Sequence, residues 1–192
     1  MQKKIFILIG HPDREPTLTS ACAAAYERGA LAYGHEVRVQ HLAHLTFDPV
    51  LHRGYKVIQP LEPDLKTFQD NVRWADHLVI LYPNWWGTMP ALLKGLVDRA
   101  WLPGFAFRFR KNGMGWQGLL KGKTARLVIL ANTHPYLAGL LFGDFTNELR
   151  RATLGFSGIR ATAMVLAPSE KASEKLRARW LKKIEGLGAH GE

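Results

Sequence analysis

Two adjacent tryptophans, Trp85 and Trp86, stand where the chain could bind a flat aromatic ligand. The apolar run 76–81 before them predicts a strand buried on both faces, and residues 89–97 after them predict a helix. In open α/β sheets, ligands bind beyond the carboxyl ends of the strands. One tryptophan would suit ordinary core packing, but two beside Gly87 favour a shelf on which a planar ring lies.

Three hydroxyl side chains open the first predicted helix, at Thr17, Thr19 and Ser20. A helix N-terminus offers unpaired N–H groups and a positive dipole end, both of which favour a phosphate. Capping alone would need only one of these hydroxyls. We therefore expect a phosphate here, with His11, at the end of the first strand, as a further donor unless it is simply solvated.

An aromatic shelf and a phosphate site together fit a flavin, which brings its own hydride chemistry to a protein. The chain contains neither the Gly-x-Gly-x-x-Gly fingerprint of dinucleotide-binding folds nor the Gly-x-x-x-x-Gly-Lys-Ser/Thr motif of P-loops. No nucleophile is paired with a base in a recognisable elbow, so the sequence gives little support to acyl transfer.

Alternating strands and helices indicate an α/β fold, a doubly wound parallel five-stranded sheet with the order 2-1-3-4-5. The strands are predicted at residues 4–10, 35–42, 76–81, 124–131 and 159–166. The helices are predicted at residues 17–33, 60–74, 89–97, 140–154 and 169–187, the last with Ser169 as its N-cap. The loops 11–19, 83–88 and 132–136 would then line one crevice. We expect one domain over residues 1–192, with 43–59 irregular and 102–122 an excursion over the surface.

The composition favours a cytoplasmic protein that does not insert stably into membranes. Cys22 is the only cysteine, no signal peptide is evident, and no apolar run is long enough to span a bilayer. The net charge is +10, but most basic residues are dispersed and no nucleic-acid-binding motif is present. We therefore expect no nucleic-acid partner.

A set of metal-ligand residue types, His41, His44, Asp48 and His52, follows the second predicted strand. Because it spans a strand end and an irregular loop away from the crevice, we predict no metal there. The role of these histidines stays open.

Residues 82–95 resemble the motif of the NAD(P)H:quinone oxidoreductase family, most specifically in the Pro90–Gly95 block with a tryptophan upstream. Residues 10–12 and 104–109 extend the resemblance over nearly the whole chain. The resemblance implies a flavodoxin-like fold and an enzyme that uses FMN or FAD and NAD(P)H to reduce quinones or similar acceptors. It also implies a two-electron, ping-pong hydride transfer in a homodimer with its active site at the subunit interface.

The resemblance also implies roles for single residues. The segment 17–20 and His11 would hold the flavin phosphate, and Tyr136 would assist hydride transfer beside the substrate. Phe107 and Phe109 would wall the substrate site from the other subunit, or form an apolar dimer contact. The remaining cofactor-binding residues would be Pro83, Asn84, Trp85, Trp86, Gly87, Asn132 and Thr133. The last two replace a glycine-containing loop of the family, and Phe142 stands where the family has a histidine.

Two finer expectations concern the cofactors. The chain ends soon after the last helix, which favours FMN over FAD, and Arg108, Arg110 and Lys111 weakly favour NADPH over NADH. A different function would be that of an ancillary flavin-binding regulatory subunit of a membrane transporter, with the excursion 102–122 as its docking surface.

Overall fold

The computed structural model describes residues 1–110 and 114–192. Its strands are β1 Lys4–Ile9, β2 Glu36–His41, β3 His77–Pro83, β4 Phe107–Phe109, β5 Trp116–Gly118, β6 Thr124–Leu130 and β7 Arg160–Leu166. Its α-helices are α1 Leu18–Ala32, α2 Pro63–Trp74, α3 Ala91–Ala100, α4 Pro135–Phe142 and α5 Glu174–His190. Two short 3₁₀ turns, Leu42–His44 and Gly54–Lys56, and a π-helix, Glu148–Gly155, complete the described elements.

Five parallel strands form the main sheet in the order β2-β1-β3-β6-β7, which confirms the predicted order 2-1-3-4-5. The register pairs Ile9 with Leu81 across β1 and β3, and Leu81 with Val128 across β3 and β6. The carboxyl ends of these three strands therefore meet at the same edge of the sheet. The loops that follow them are held side by side.

Both faces of the sheet are buried, which explains why its central strands are apolar without interruption. In β1, Ile5 and Ile7 belong to one hydrophobic cluster, which contains residues of α1 and α5. Phe6 and Leu8 belong to the other, which contains residues of α2 and α3. Because successive side chains of a strand point to opposite faces, one apolar run supplies both clusters.

Two predicted helix boundaries are wrong. The helix predicted at 140–154 is two elements, because Gly143 ends α4 with a φ of 80° and the chain resumes as the π-helix. The last helix begins at Glu174, and its N-cap is Ser173, whose Oγ accepts a hydrogen bond from the Leu176 N–H, rather than Ser169.

The segment 102–122 is more firmly anchored than a surface excursion. Phe105, Ala106 and Leu120 are buried in the core, and β4 pairs with β5 as an antiparallel hairpin. The expectation of an excursion over the surface is therefore wrong for these buried residues and for the hairpin. No helix among the described residues has both the length and the apolar character needed to cross a bilayer.

Helices α1 and α5 pack closely at two glycines, Gly29 of α1 and Gly188 of α5. This contact generates a stability prediction. A Cβ on Gly188 would lie 2.1 Å from the Tyr26 carbonyl oxygen, whereas a Cβ on Gly186 would meet nothing within 4 Å. We expect Gly188→Ala to lower the free energy of unfolding by about 1–3 kcal/mol through overpacking. Gly186→Ala, the matched control in the same helix, should raise it by about 0.5–1 kcal/mol through helix propensity. Urea denaturation measures both, and equal effects would contradict the close crossing.

Candidate functional site

Two adjoining cavities lie beyond the carboxyl ends of β1, β3 and β6, and both are lined by Asn84 and Asn132. The first, of about 490 Å³, is also lined by Trp86, Gly87, Thr133, Ala138 and Phe145. The second, of about 360 Å³, is also lined by His11, Thr17, Leu18, Thr19, Pro83, Trp85, Leu130, Ser169, Glu170 and Arg177. We call them the ring cavity and the tail cavity. Together they connect the tryptophan loop to the start of α1.

At the start of α1, two of the three hydroxyls, those of Thr17 and Ser20, form the helix cap. Thr17 is the N-cap: its Oγ1 accepts from the Ser20 N–H at 3.1 Å, and the Ser20 Oγ accepts from the Thr17 N–H at 2.9 Å. Thr17 and Thr19 line the tail cavity, whereas Ser20 does not. Its role in phosphate binding stays a prediction, and its hydroxyl is engaged in the capping box.

His11 lies at the wall of the tail cavity as a neutral donor. Its Nδ1 accepts a hydrogen bond from the Asp13 N–H at 3.1 Å, so the neutral ring carries its proton on Nε2. Burial lowers the pKa of His11 and outweighs the opposing effect of the Asp13 carboxylate. The ring meets Trp85 edge to face, with centroids 5.7 Å apart.

The tryptophan loop is a two-residue turn closed by Trp85 and Thr88, whose N–H and carbonyl groups exchange hydrogen bonds of 2.9 and 3.1 Å. Trp86 has a φ of 53° and Gly87 a φ of 79°, the pattern of a type I′ turn. Trp86 is fully exposed and Trp85 is about half-exposed, at 45%. Neither indole is a core residue, so the core alternative is wrong.

A positive φ is rare for a tryptophan, and a residue held there stores strain. The turn is tied down on its far side, where the Thr88 Oγ1 donates a short hydrogen bond to a carboxylate oxygen of Glu148 in the π-helix. This bond ties the turn that carries Trp86 to the π-helix.

Asn84 is the polar group that the two cavities share. Its N–H donates to the Leu130 carbonyl at 2.7 Å, which continues the β3–β6 pairing. Its side-chain Oδ1 is buried and has no hydrogen-bond partner among the described residues. Buried polar atoms are almost always paired, so the Asn84 Oδ1 is an acceptor available to a donor that enters the cavity.

Sequence reasoning missed the contribution of the loop that follows β7. The Asn132 Oδ1 accepts from the Ser169 Oγ at 3.2 Å and from the Glu170 N–H at 3.1 Å, which brings this loop over the tail cavity. The Arg177 guanidinium donates to the Glu170 carbonyl at 3.2 Å and adds a cation to the same wall. The strand-end rule could have identified the loop, since β7 ends at the same edge. Nothing in the sequence distinguished Arg177 from the other basic residues of α5.

The three residues predicted to act at the substrate, Tyr136, Phe107 and Phe109, line neither cavity of this chain. Tyr136 is exposed on α4, and Phe109 is exposed in β4, where its ring lies 5.5 Å from that of Phe107. Arg108 donates to the Gln117 side chain at 2.9 Å, and Lys111 lies outside the described residues. The roles predicted for Tyr136, Phe107 and Phe109 stay predictions.

The four candidate metal-ligating residues from the end of β2 onward form two separate pairs. The rings of His41 and His44 stack with centroids 4.7 Å apart, and the His52 Nε2 lies 2.6 Å from an Asp48 carboxylate oxygen. Within residues 1–110 and 114–192, no three metal-ligating side chains converge.

Comparison with known proteins finds a family model, described as flavodoxin-like fold, that matches residues 3–185. The human protein named ribosyldihydronicotinamide dehydrogenase [quinone] is 33% identical over 146 residues, which are 71% of this chain and 62% of that protein. The chain thus spans about three-fifths of the length of this relative.

Two solved structures share the fold over almost their full length. One, from Streptococcus mutans UA159, is 29% identical with a TM-score of 0.81 and covers 97% of this chain and 99% of its own. The other, described as an NAD(P)H:quinone oxidoreductase from Methanothermobacter marburgensis, is 22% identical with a TM-score of 0.80 and covers 100% of both chains. The second likeness shows the fold alone.

The strain at Trp86 generates a prediction that needs no ligand. Asparagine tolerates a positive φ better than tryptophan, and the exposed indole loses little packing. We expect Trp86→Asn to raise the free energy of unfolding by about 1 kcal/mol. Trp85→Asn, one residue earlier and without a positive φ, is the control and should give no gain. Urea denaturation of the two variants decides the point, and stabilisation by both or by neither would contradict the strained turn.

Proposed function

The chain belongs to the flavodoxin-like fold family, and from this premise we propose a specific enzymatic function. Together with the named relatives, this membership confirms the resemblance noted at residues 82–95. The protein is a flavin-dependent NAD(P)H oxidoreductase that reduces quinones or similar acceptors by two-electron transfer. The observation that carries the proposal is that the ring and tail cavities adjoin at Asn84 and Asn132. A flat ring can lie at Trp86 while its phosphate reaches the first turn of α1.

The tail cavity has the chemistry of a phosphate site. The first turn of α1 directs unpaired N–H groups and its positive dipole end toward the cavity. The His11 Nε2–H and the Arg177 guanidinium add donors from two other elements. One terminal phosphate is sufficient to use these groups, which supports FMN over FAD.

The ring cavity supplies an aromatic face and polar edges. Trp86 offers its exposed indole for stacking, and the buried Asn84 Oδ1 offers an acceptor to a ring N–H. Asn132 and Thr133 border the same space from the end of β6, and Ala138 closes it from α4. A flavin bound there supplies hydride transfer between donor and acceptor.

The proposed reaction uses one place beside the flavin for two substrates in turn. NAD(P)H would enter first and a quinone would later take the same place, in a ping-pong cycle. Tyr136 is proposed to assist hydride transfer, and Phe107 and Phe109 to wall the substrate site of a second copy. These three residues line neither cavity of their own chain, a placement that suits a site completed at a dimer interface.

The stacking role of Trp86 can be tested by cofactor affinity. We expect the protein to bind one FMN per chain and Trp86→Ala to weaken binding about five- to tenfold, because an aromatic stacking contact of about 1–1.5 kcal/mol is lost. Flavin fluorescence titration measures the affinity, and coupled oxidation of NADH or NADPH with a quinone measures turnover. Tyr33→Ala, which removes an exposed aromatic ring at the far end of α1, is the control. Equal affinities of both variants, or the absence of FMN and FAD binding by the wild type, would contradict the proposal.

The proposed dimer can be tested at the exposed face of α4. Tyr136, Leu137, Leu140 and Leu141 are exposed apolar side chains beside the ring cavity, and such contiguous patches mark interaction sites. We expect Leu140→Glu to shift the protein from dimer to monomer, since a buried carboxylate is unfavourable at an apolar interface. Quinone reduction should then fall more than FMN affinity does.

Light scattering and FMN titration of the same samples give the two readouts. Leu31→Glu, which places the same charge at an exposed leucine of α1, should leave the dimer intact. A monomeric wild-type protein with full quinone reductase activity would contradict the interface.

A further inference from the structure

A separate polar cavity lies at the opposite edge of the sheet, beyond the amino ends of β3, β6 and β7. Its volume is about 320 Å³. It is lined by Lys3, His77, Thr124, Ala125, Arg126, Arg160, Ala161, Thr162, Gly191 and Glu192. Since β6 has seven residues, the length of the strand, about 20 Å, separates this cavity from the ring and tail cavities. It therefore belongs to a different site.

We call this cavity, at the amino ends of the strands, the amino-edge cavity. Most of the charged side chains that line it are positive. Lys3, Arg126 and Arg160 line it, and none of the three makes an ion pair within the part of the chain that the structure describes. The Lys3 Nζ donates to the Gly191 carbonyl at 2.8 Å, which holds one of the cations at the wall. Glu192 supplies the one carboxylate side chain among the lining residues, so an excess of positive charge faces the cavity.

Two nitrogens of the lining residues are buried and lack partners among the described residues: the His77 Nε2 and the Arg126 Nε. The His77 ring is 97% buried, and its Nδ1 lies 2.7 Å from the Thr124 hydroxyl. Burial lowers the pKa of His77 to about 3, helped by the charges of Lys3 and Arg126, so the ring is neutral at pH 7. When the Thr124 hydroxyl donates to the His77 Nδ1, the proton of the neutral ring is on Nε2. The His77 Nε2 and the Arg126 Nε are then both donors without acceptors among the described residues.

We propose that the amino-edge cavity binds a phosphate-bearing small molecule, with a diphosphate as the group of matching charge. Guanidinium groups present several N–H donors in a geometry suited to phosphate oxygens. The anion would neutralise the excess charge of Lys3, Arg126 and Arg160, and would provide acceptors for the two unpartnered nitrogens, the His77 Nε2 and the Arg126 Nε. The site requires no flavin, so it stands independently of the proposed function.

Isothermal titration of the full-length protein with inorganic pyrophosphate, at fixed ionic strength, tests the proposal. The tail cavity can also attract phosphate, so three variants that each remove one positive charge locate the binding. Arg160→Gln alters an exposed side chain at the amino-edge cavity, Arg177→Gln alters the tail cavity, and Arg179→Gln alters the exposed surface of α5. We expect about a tenfold loss of pyrophosphate affinity at one site in Arg160→Gln, as for one charge-assisted contact. The pyrophosphate affinity of that site should change by less than about twofold in Arg177→Gln and Arg179→Gln.

Nitrogen-detected NMR of the wild type gives a second readout, because the His77 Nε2 and Arg126 Nε signals should shift on addition of pyrophosphate. Binding that is lost in Arg177→Gln and kept in Arg160→Gln would overturn the proposal, since it would place pyrophosphate at the tail cavity. Equal losses in Arg160→Gln and Arg179→Gln would also overturn it, because they would indicate attraction to net charge alone. Absence of pyrophosphate binding would overturn it directly.

Discussion

The parallel alignment of five strands buried on both faces is the constraint on which the rest of this structure depends. Because every strand runs in the same direction, the loops after β1, β3, β6 and β7 open at one edge. Because both faces are covered by helices, the ends of the strands, rather than the faces of the sheet, are open to ligands. The ring and tail cavities occupy the carboxyl edge, and the cavity around His77 occupies the amino edge.

Within the carboxyl edge, backbone strain lies in the turn that borders the ring cavity. Trp86 is kept in an unfavourable backbone conformation by the closing hydrogen bonds of its turn and by the bond from Thr88 to Glu148. Such strain persists only where the surroundings over-determine it, and it is common at ligand sites. Burial of the Asn84 Oδ1 also costs desolvation free energy, because no hydrogen bond from the described residues compensates for the water it loses. Both features lie at the walls of the ring cavity, where the proposed flavin would stack on Trp86 and donate a ring N–H to Asn84.

The sheet order and the crevice could be predicted because they follow from local signals. These signals are the uninterrupted apolar strands and the turn-forming residues that follow them. They also include the hydroxyl side chains of Thr17, Thr19 and Ser20. The positions of Ser169 and Arg177 could not be predicted, since they depend on how the loop after β7 folds back onto Asn132. The break of the helix near Gly143 was missed because its apolar periodicity continues on both sides of a glycine whose φ only the structure reveals.

The central claim is that one ligand joins the tryptophan turn to the start of α1, and a crystal structure of the protein with FMN tests it most directly. The account predicts that the ring lies against the Trp86 indole with a ring N–H bonded to the Asn84 Oδ1. It also predicts that the phosphate lies within hydrogen-bonding distance of the first turn of α1 and of His11 or Arg177. FMN bound elsewhere, or a phosphate that does not reach the tail cavity, would contradict the account.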